Sequence, residues 1–176
     1  MNLQFYLEKL FGSEEFAKFK KEHKDCYLCG GFFVIDRENM KAPENKSHLD
    51  FFVPSDKRMF SFDLESGVQV LPVEQFDPER TPGKVKDNYN FEFEDIEDLI
   101  RKKMDEEKFS NKIQKIILTI QNAEGKDYIL CTVFISGMGI LKVHISLPDK
   151  KIVLFEKHSF FDMLKMVKGK KGEKKE

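Results

Sequence analysis

The sequence predicts an α+β protein made of two tandem units, each a helix followed by three antiparallel strands (αβββ), as in cystatin-like domains. Two observations favour this class: runs rich in β-branched and aromatic residues outnumber helical runs, and the two halves of the chain share a weak internal similarity. With 176 residues, the chain can bury a core without disulfides or metals. The predicted organisation is a first unit (1–72), a Pro-rich linker (73–91), a second unit (92–167) and a disordered Lys-rich tail (168–176).

Two short helices are predicted at the N-terminus. Apolar residues recur at helical spacing from Leu3 to Leu10, and Gly12 interrupts the pattern. Ser13 is a suitable N-cap for the second helix, because its side-chain oxygen can accept a backbone N–H of the first turn. The buried side of that helix would carry Phe16 and Phe19.

The strands follow from β-branched and aromatic runs bounded by turn residues. They are predicted at residues 27–35, 48–53, 58–62 and 67–73 in the first half, and at 127–136, 140–147 and 151–157 in the second. Acidic residues from Glu92 open a third helix, and Ser110 would cap a continuation over 110–122 with isoleucines at helical spacing. A last short helix is predicted over 160–167.

A weak duplication supports the tandem arrangement. At an offset of 102 residues, the segment from Lys24 to Val34 matches the segment from Lys126 to Ser136, including a cysteine in each. The prolines between residues 72 and 82 then mark the boundary between the two units. The duplication aligns Cys29 with Cys131, which has no second cysteine three residues away.

Cys26 and Cys29 form a Cys-x-x-Cys pair, for which three interpretations remain open. Cysteine is often buried as a small hydrophobe, and residues three apart on a strand point to opposite faces, so we favour two strand cysteines. A zinc site would need two further ligands from elsewhere in the chain. A redox dithiol would need the pair at the start of a helix. We therefore predict no metal site and no cofactor.

Charge and composition limit the classes of partner. The 30 basic and 31 acidic side chains leave a net charge of −1, so nucleic acid is not an expected partner. The Lys-rich tail is expected to be a solvated end, with salt-sensitive nucleic-acid binding as the alternative. The sequence has no apolar run long enough for a membrane span and no signal-like start, and its three cysteines are an odd number, so we expect a cytoplasmic protein.

No arrangement of side chains predicts catalysis, because the four histidines are scattered without a triad context. We therefore predict a non-enzymatic binding or regulatory protein. Its proposed contact surface is an aromatic sheet face with Phe51, Phe60 and Phe62, which would meet a protein partner or a second copy of the chain. The alternatives are that these rings pack on the N-terminal helices, or that the protein depends on zinc or thiol chemistry at Cys26 and Cys29.

The stretch MFSFDLESGVQV passes from one strand, through Asp63 and Gly67, into the next. This pattern resembles the PepSY and cystatin-like group of small domains, in which a strand ending in Asp is followed by a turn with Gly. The resemblance covers residues 13–72 and, without the glycine, 110–157. It implies an inhibitory or regulatory protein, of a group that is mostly extracytoplasmic, and it implies no catalytic residues.

Overall fold

The computed structural model describes residues 2–39, 41–74 and 79–159. Within these ranges the chain forms three helices and eight strands. The helices are α1 (Leu3–Phe11), α2 (Glu14–Glu22) and α3 (Phe93–Glu106). The strands are β1 (Tyr27–Asp36), β2 (Lys46–Val53), β3 (Arg58–Asp63), β4 (Gln69–Val73), β5 (Ile113–Ala123), β6 (Lys126–Ile135), β7 (Gly139–Ser146) and β8 (Lys151–Ser159).

All eight strands belong to one antiparallel sheet in the order β4-β3-β2-β1-β5-β6-β7-β8. Two four-stranded meanders, β1–β4 and β5–β8, join where β1 pairs with β5. The predicted fold class of two tandem αβββ units is therefore wrong: the strands form one continuous sheet. Hydrogen bonds between β1 and β5 pair the backbone N–H and C=O groups that two separate sheets would have left exposed at their edges.

The tandem prediction failed most clearly at residues 110–122, which were expected to be helical and contain β5. The pairing of β5 with β6 shifts register between Ile113 and Lys115, as a β-bulge does. The extra residue allows Ile113 and Ile116 to be buried on the same side although they lie three apart, so the spacing imitates a helix. The β-branched composition of this segment favours a strand. The predicted helix at 160–167 and the Lys-rich tail lie outside the described residues.

The helices begin at side-chain caps, as the sequence predicts for α2. The Oγ of Ser13 accepts the backbone N–H of Phe16 at 3.1 Å, and the Oδ1 of Asn2 accepts that of Gln4 at 2.7 Å. At α3, Glu92 and Asp95 form a reciprocal capping box. Among the described helices, none combines the length and the apolar character that a bilayer span requires.

The three helices pack on one side of the sheet, which we call the helix-covered face. Its side chains form the core together with the apolar sides of the helices. They include Phe33, Ile35, Leu49, Phe51, Phe60, Phe62, Ile116, Leu118, Ile129, Cys131, Leu141 and Val143. No described helix lies on the opposite side, which we call the open face. By strand alternation this face carries Phe32, Val34, His48, Asp50, Ser61, Asp63, Ile117, Thr119 and Leu130.

Of the connection between β4 and α3, the structure describes residues 79–92, which pass around the end of the sheet. The hydroxyl of Tyr27 donates to the carbonyl of Pro82 at 2.6 Å, and the N–H of Val85 donates to the carbonyl of Leu28 at 2.9 Å. The buried carboxylate of Asp127 fixes the next turn of the segment. It accepts hydrogen bonds from Lys86 N at 3.2 Å, Tyr89 Oη at 2.8 Å and Asn122 Nδ2 at 2.6 Å. This connection, which we call the crossover segment, is thereby held against the sheet.

Candidate functional site

The three phenylalanines expected to form a contact surface lie in the core. Phe51, Phe60 and Phe62 are 3%, 8% and 0% exposed. The ring of Phe19 on α2 lies 5.1 Å from the rings of both Phe60 and Phe62, centroid to centroid. The rings thus pack on an N-terminal helix, which was the alternative that the sequence left open. In this position they present almost no surface to a partner.

The Cys-x-x-Cys pair does not bring its two sulfur atoms to one site. Cys26 belongs to the core on the helix-covered side, and its Sγ lies 3.5 Å from Lys20 Nζ. The thiol of Cys29 instead donates to the carbonyl of Asp50 at 3.4 Å. Burial, aided by the charge of Asp50, raises the pKa of Cys29 to about 12. Because the thiolate is the nucleophilic form, Cys29 is poorly suited to thiol chemistry at neutral pH.

The open face contains a cleft of about 290 Å³ between the middle of the sheet and the crossover segment. The sheet forms its floor and the crossover segment forms one wall. Its lining consists of Cys29, Gly30, Asp50, Met59, Arg80, Pro82, Gly83, Thr119, Ile120, Gln121 and Asn122. The cleft therefore combines apolar surface with charged and amide groups, as ligand sites generally do.

Asp50 is the carboxylate of this cleft, and its neighbours explain its position. On β2 it pairs with Gly30 on one side and Ser61 on the other. A Cβ on Gly30 would lie 3.5 Å from Asp50 Oδ2 and 3.2 Å from the carbonyl oxygen of Ile120, so the glycine keeps this part of the floor open. Burial raises the pKa of Asp50, and a hydrogen bond from Ser61 and the charge of His48 offset part of that rise.

The crossover segment supplies the opposite charge at the wall of the cleft. Arg80 is exposed and lines the same cleft as Asp50. Further along, a Cβ on Gly83 would lie only 2.5 Å from Asn122 Oδ1, so the close approach of the segment to β5 depends on a glycine at this position. The result is a small cleft with an anion on its floor and a cation on its wall.

Sequence reasoning did not find Asp50 or Arg80. One signal was present: Asp50 is a charged residue inside the aromatic strand HLDFFV, where a side chain that faced the core would be costly to bury. Arg80 gave no such signal. It reaches the cleft only because the crossover segment folds back beside β1 and β5.

The architecture defines an α+β protein with one long antiparallel sheet covered by helices on one face. It is similar to the crystal structure of a "putative lipoprotein" from Clostridium difficile 630, with a TM-score of 0.52 and 10% sequence identity. The match covers 82% of this chain and 91% of the other, and at this identity it shows the fold alone. No protein-family model and no curated protein matches the chain. The PepSY-like resemblance and the cytoplasmic location stay predictions.

Proposed function

We propose that this chain is a non-enzymatic binding protein that takes a small zwitterionic ligand in the cleft of the open face. The observation that carries the proposal is Asp50, a half-buried carboxylate on the floor of the cleft. Because burial raises its pKa, the ionised form is held at a cost in free energy. Residues whose protonation is perturbed in this way beside a cleft are typical of functional sites.

The charges of the cleft support a ligand that carries one positive and one negative group. An ammonium group would pair with Asp50 on the floor, and a carboxylate would pair with Arg80 on the wall. Thr119 and Gln121 line the same cleft and offer further hydrogen-bonding groups. A volume of about 290 Å³ is at the lower end for ligand pockets, which suits an amino acid or a dipeptide.

Binding is favoured over catalysis by the state of the cleft's thiol. Cys29 is the lining residue with the strongest potential nucleophile, and its pKa of about 12 keeps it protonated at neutral pH. Its hydrogen atom is also committed to the carbonyl of Asp50. The lining residues therefore supply charge complementarity and hydrogen bonds, which are the requirements of recognition.

Calorimetric titration with a panel of probes tests the proposal. The panel contains neutral amino acids and dipeptides, together with simple amines and simple carboxylates that carry one of the two charges. We expect zwitterions to bind more tightly than either single-charge analogue. Asp50→Asn should weaken zwitterion binding by at least about tenfold, the equivalent of one lost charge-assisted hydrogen bond, and Arg80→Gln should weaken it in the same direction.

Arg58→Gln is the matched control for the loss of a positive charge. Arg58 lies on β3 with its guanidinium 5.1 Å from the ring of Phe60, a residue of the helix-covered face, and it does not line the cleft. This variant should bind as the unmodified protein does. The proposal would be contradicted if no member of the panel bound, or if Asp50→Asn bound zwitterions with unchanged affinity.

A further inference from the structure

A second polar cluster lies where the β2–β3 hairpin ends, on the open face but outside the cleft. It consists of His48 on β2, Asp63 at the end of β3 and Glu65 in the following turn. One donor atom from each residue, an imidazole nitrogen and two carboxylate oxygens, lies within 4.8 Å of the other two. His48 Nε2 and Glu65 Oε1 are 3.5 Å apart. None of the three residues lines the cleft.

The hairpin itself brings these side chains together. His48 lies directly opposite Asp63 in the register of β2 and β3. The backbone N–H of Glu65 donates to Asp63 Oδ1 at 2.9 Å, and the N–H of Ser47 donates to Glu65 Oε1 at 3.2 Å. The ring of Phe32 lies 6.1 Å from the imidazole of His48, centroid to centroid. Two of the donors therefore sit on paired strands, and backbone hydrogen bonds orient the third.

We propose that His48, Asp63 and Glu65 bind a divalent transition-metal ion, with Zn²⁺ the best fit. Zinc takes imidazole nitrogen and carboxylate oxygen at bond lengths of about 2.0–2.2 Å, so two ligands on a tetrahedral ion are about 3.4 Å apart. The 3.5 Å between His48 Nε2 and Glu65 Oε1 matches this separation. An imidazole among the donors favours zinc over magnesium or calcium, which prefer oxygen ligands alone.

A plain ion-pair network is the competing explanation for the same cluster. Lys46 Nζ lies 3.9 Å from Glu65 Oε2, and a protonated His48 would also pair with Glu65. The two explanations predict different zinc binding for the Lys46→Gln variant. The ammonium of Lys46 competes with a metal ion for Glu65, so Lys46→Gln should keep or increase zinc affinity. An ion-pair network without a metal site predicts no zinc binding in either protein.

Zinc titration tests the proposal. The full chain is first treated with a chelator to remove bound metal. We expect one Zn²⁺ per chain by calorimetry and weaker binding of Mg²⁺. His48→Gln and Asp63→Asn should each lower zinc affinity by at least about tenfold, the lower end of the effect seen for residues that support metal sites. His158→Gln is the matched control, because His158 Nε2 lies 3.2 Å from Glu156 Oε2 in a similar pair at the edge strand β8. It should leave zinc affinity unchanged.

The proposal would be overturned if no single zinc ion bound saturably, or if His48→Gln bound zinc with wild-type affinity. Circular dichroism of each zinc-free variant shows whether it is folded. If a variant fails to fold, the absorption spectrum of the Co²⁺-substituted wild-type protein decides instead. Nitrogen and oxygen ligands give weak visible bands, whereas an intense near-ultraviolet thiolate band would assign the metal to cysteine and contradict the proposal.

Discussion

The two faces of the sheet differ in how their side chains are used. On the helix-covered face, the side chains of Phe62, Ile116 and Val143 are fully buried and pack into one apolar core. On the open face, charged side chains such as Asp50 and His48 alternate along the strand with buried core residues and remain in contact with water. The sheet thus contributes the apolar core on one side, and on the other side β2 and β3 present charged groups to solvent.

This difference explains why the most aromatic part of the sequence lies in the core and presents little surface to a partner. Phenylalanines that cluster on one side of a hairpin bury most of their surface when helices pack on them. In this chain, Phe16 and Phe19 of α2 supply the matching surface. The opposite face keeps polar side chains, and partial burial of the Asp50 carboxylate costs free energy there.

The largest expected effect is the loss of stability on removing a core ring, measured beside the removal of a ring from the open face. Phe62→Ala removes a fully buried ring and should lower the free energy of unfolding by about 3–5 kcal/mol. Phe32→Ala removes a partly exposed ring from the open face and should cost about 1 kcal/mol. Urea denaturation measures both values. Equal losses would show that the open face is covered in solution and that the contrast between the faces is wrong.

A smaller loss of stability is expected when the hydrogen bonds that hold the crossover segment are removed. Asp127→Ala leaves the partners Lys86 N, Tyr89 Oη and Asn122 Nδ2 without their acceptor and should cost about 2–3 kcal/mol. Burial and the hydrogen bond to Asp127 raise the pKa of Tyr89 to about 12, so this variant should also lower that pKa. Hydrogen exchange should become faster at the amide of Val85. Unchanged exchange there would mean that Asp127 does not hold the wall of the cleft.

The smallest expected effect is an increase in stability at neutral pH. Because the pKa of Asp50 is raised in the folded protein, the native state binds more protons than the unfolded state between the two pKa values. Stability therefore falls as the pH rises through that window. Asp50→Asn removes this cost, so its melting temperature should exceed that of the wild type at pH 7, and the gap should close below the ordinary aspartate pKa of 3.8.

Asp98→Asn provides the control for that measurement, since Asp98 is exposed on α3. Its melting temperature should follow that of the wild type across the same pH range. A lower melting temperature for Asp50→Asn at pH 7 would indicate that the carboxylate stabilises the fold, and would remove the main argument for a functional role.

Local structure could be predicted from the sequence further than topology could. Strands such as β2 and β7 were predicted with boundaries close to the observed ones, because the alternation of buried and exposed residues is local information. The β5 segment was misassigned because its bulge imitates helical spacing. The pairing of β1 with β5 joins residues about 80 to 90 positions apart, and no local pattern specifies it.

The metal cluster and the cleft differ in how far they depend on contacts between distant parts of the chain. Once the turn at Pro54–Lys57 is recognised, the hairpin register alone places His48 opposite Asp63, so this pair was within reach of the sequence. The cleft was not, because its floor needs β5 beside β1 and its wall needs the crossover segment. Residues that meet through distant connections are visible only in the folded chain.

Recognition in the cleft of the open face, and not at the aromatic cluster, is the proposal on which the binding experiments rest. Backbone amide chemical shifts in a ¹⁵N-labelled sample, followed during titration with a neutral dipeptide, test it most directly. If the ligand binds in the cleft, we expect saturable shifts concentrated at Gly30, Asp50 and Gln121, with small changes at Phe51 and Phe62. Shifts concentrated at the two phenylalanines and α2, or no saturable shift with any zwitterionic probe, would contradict it.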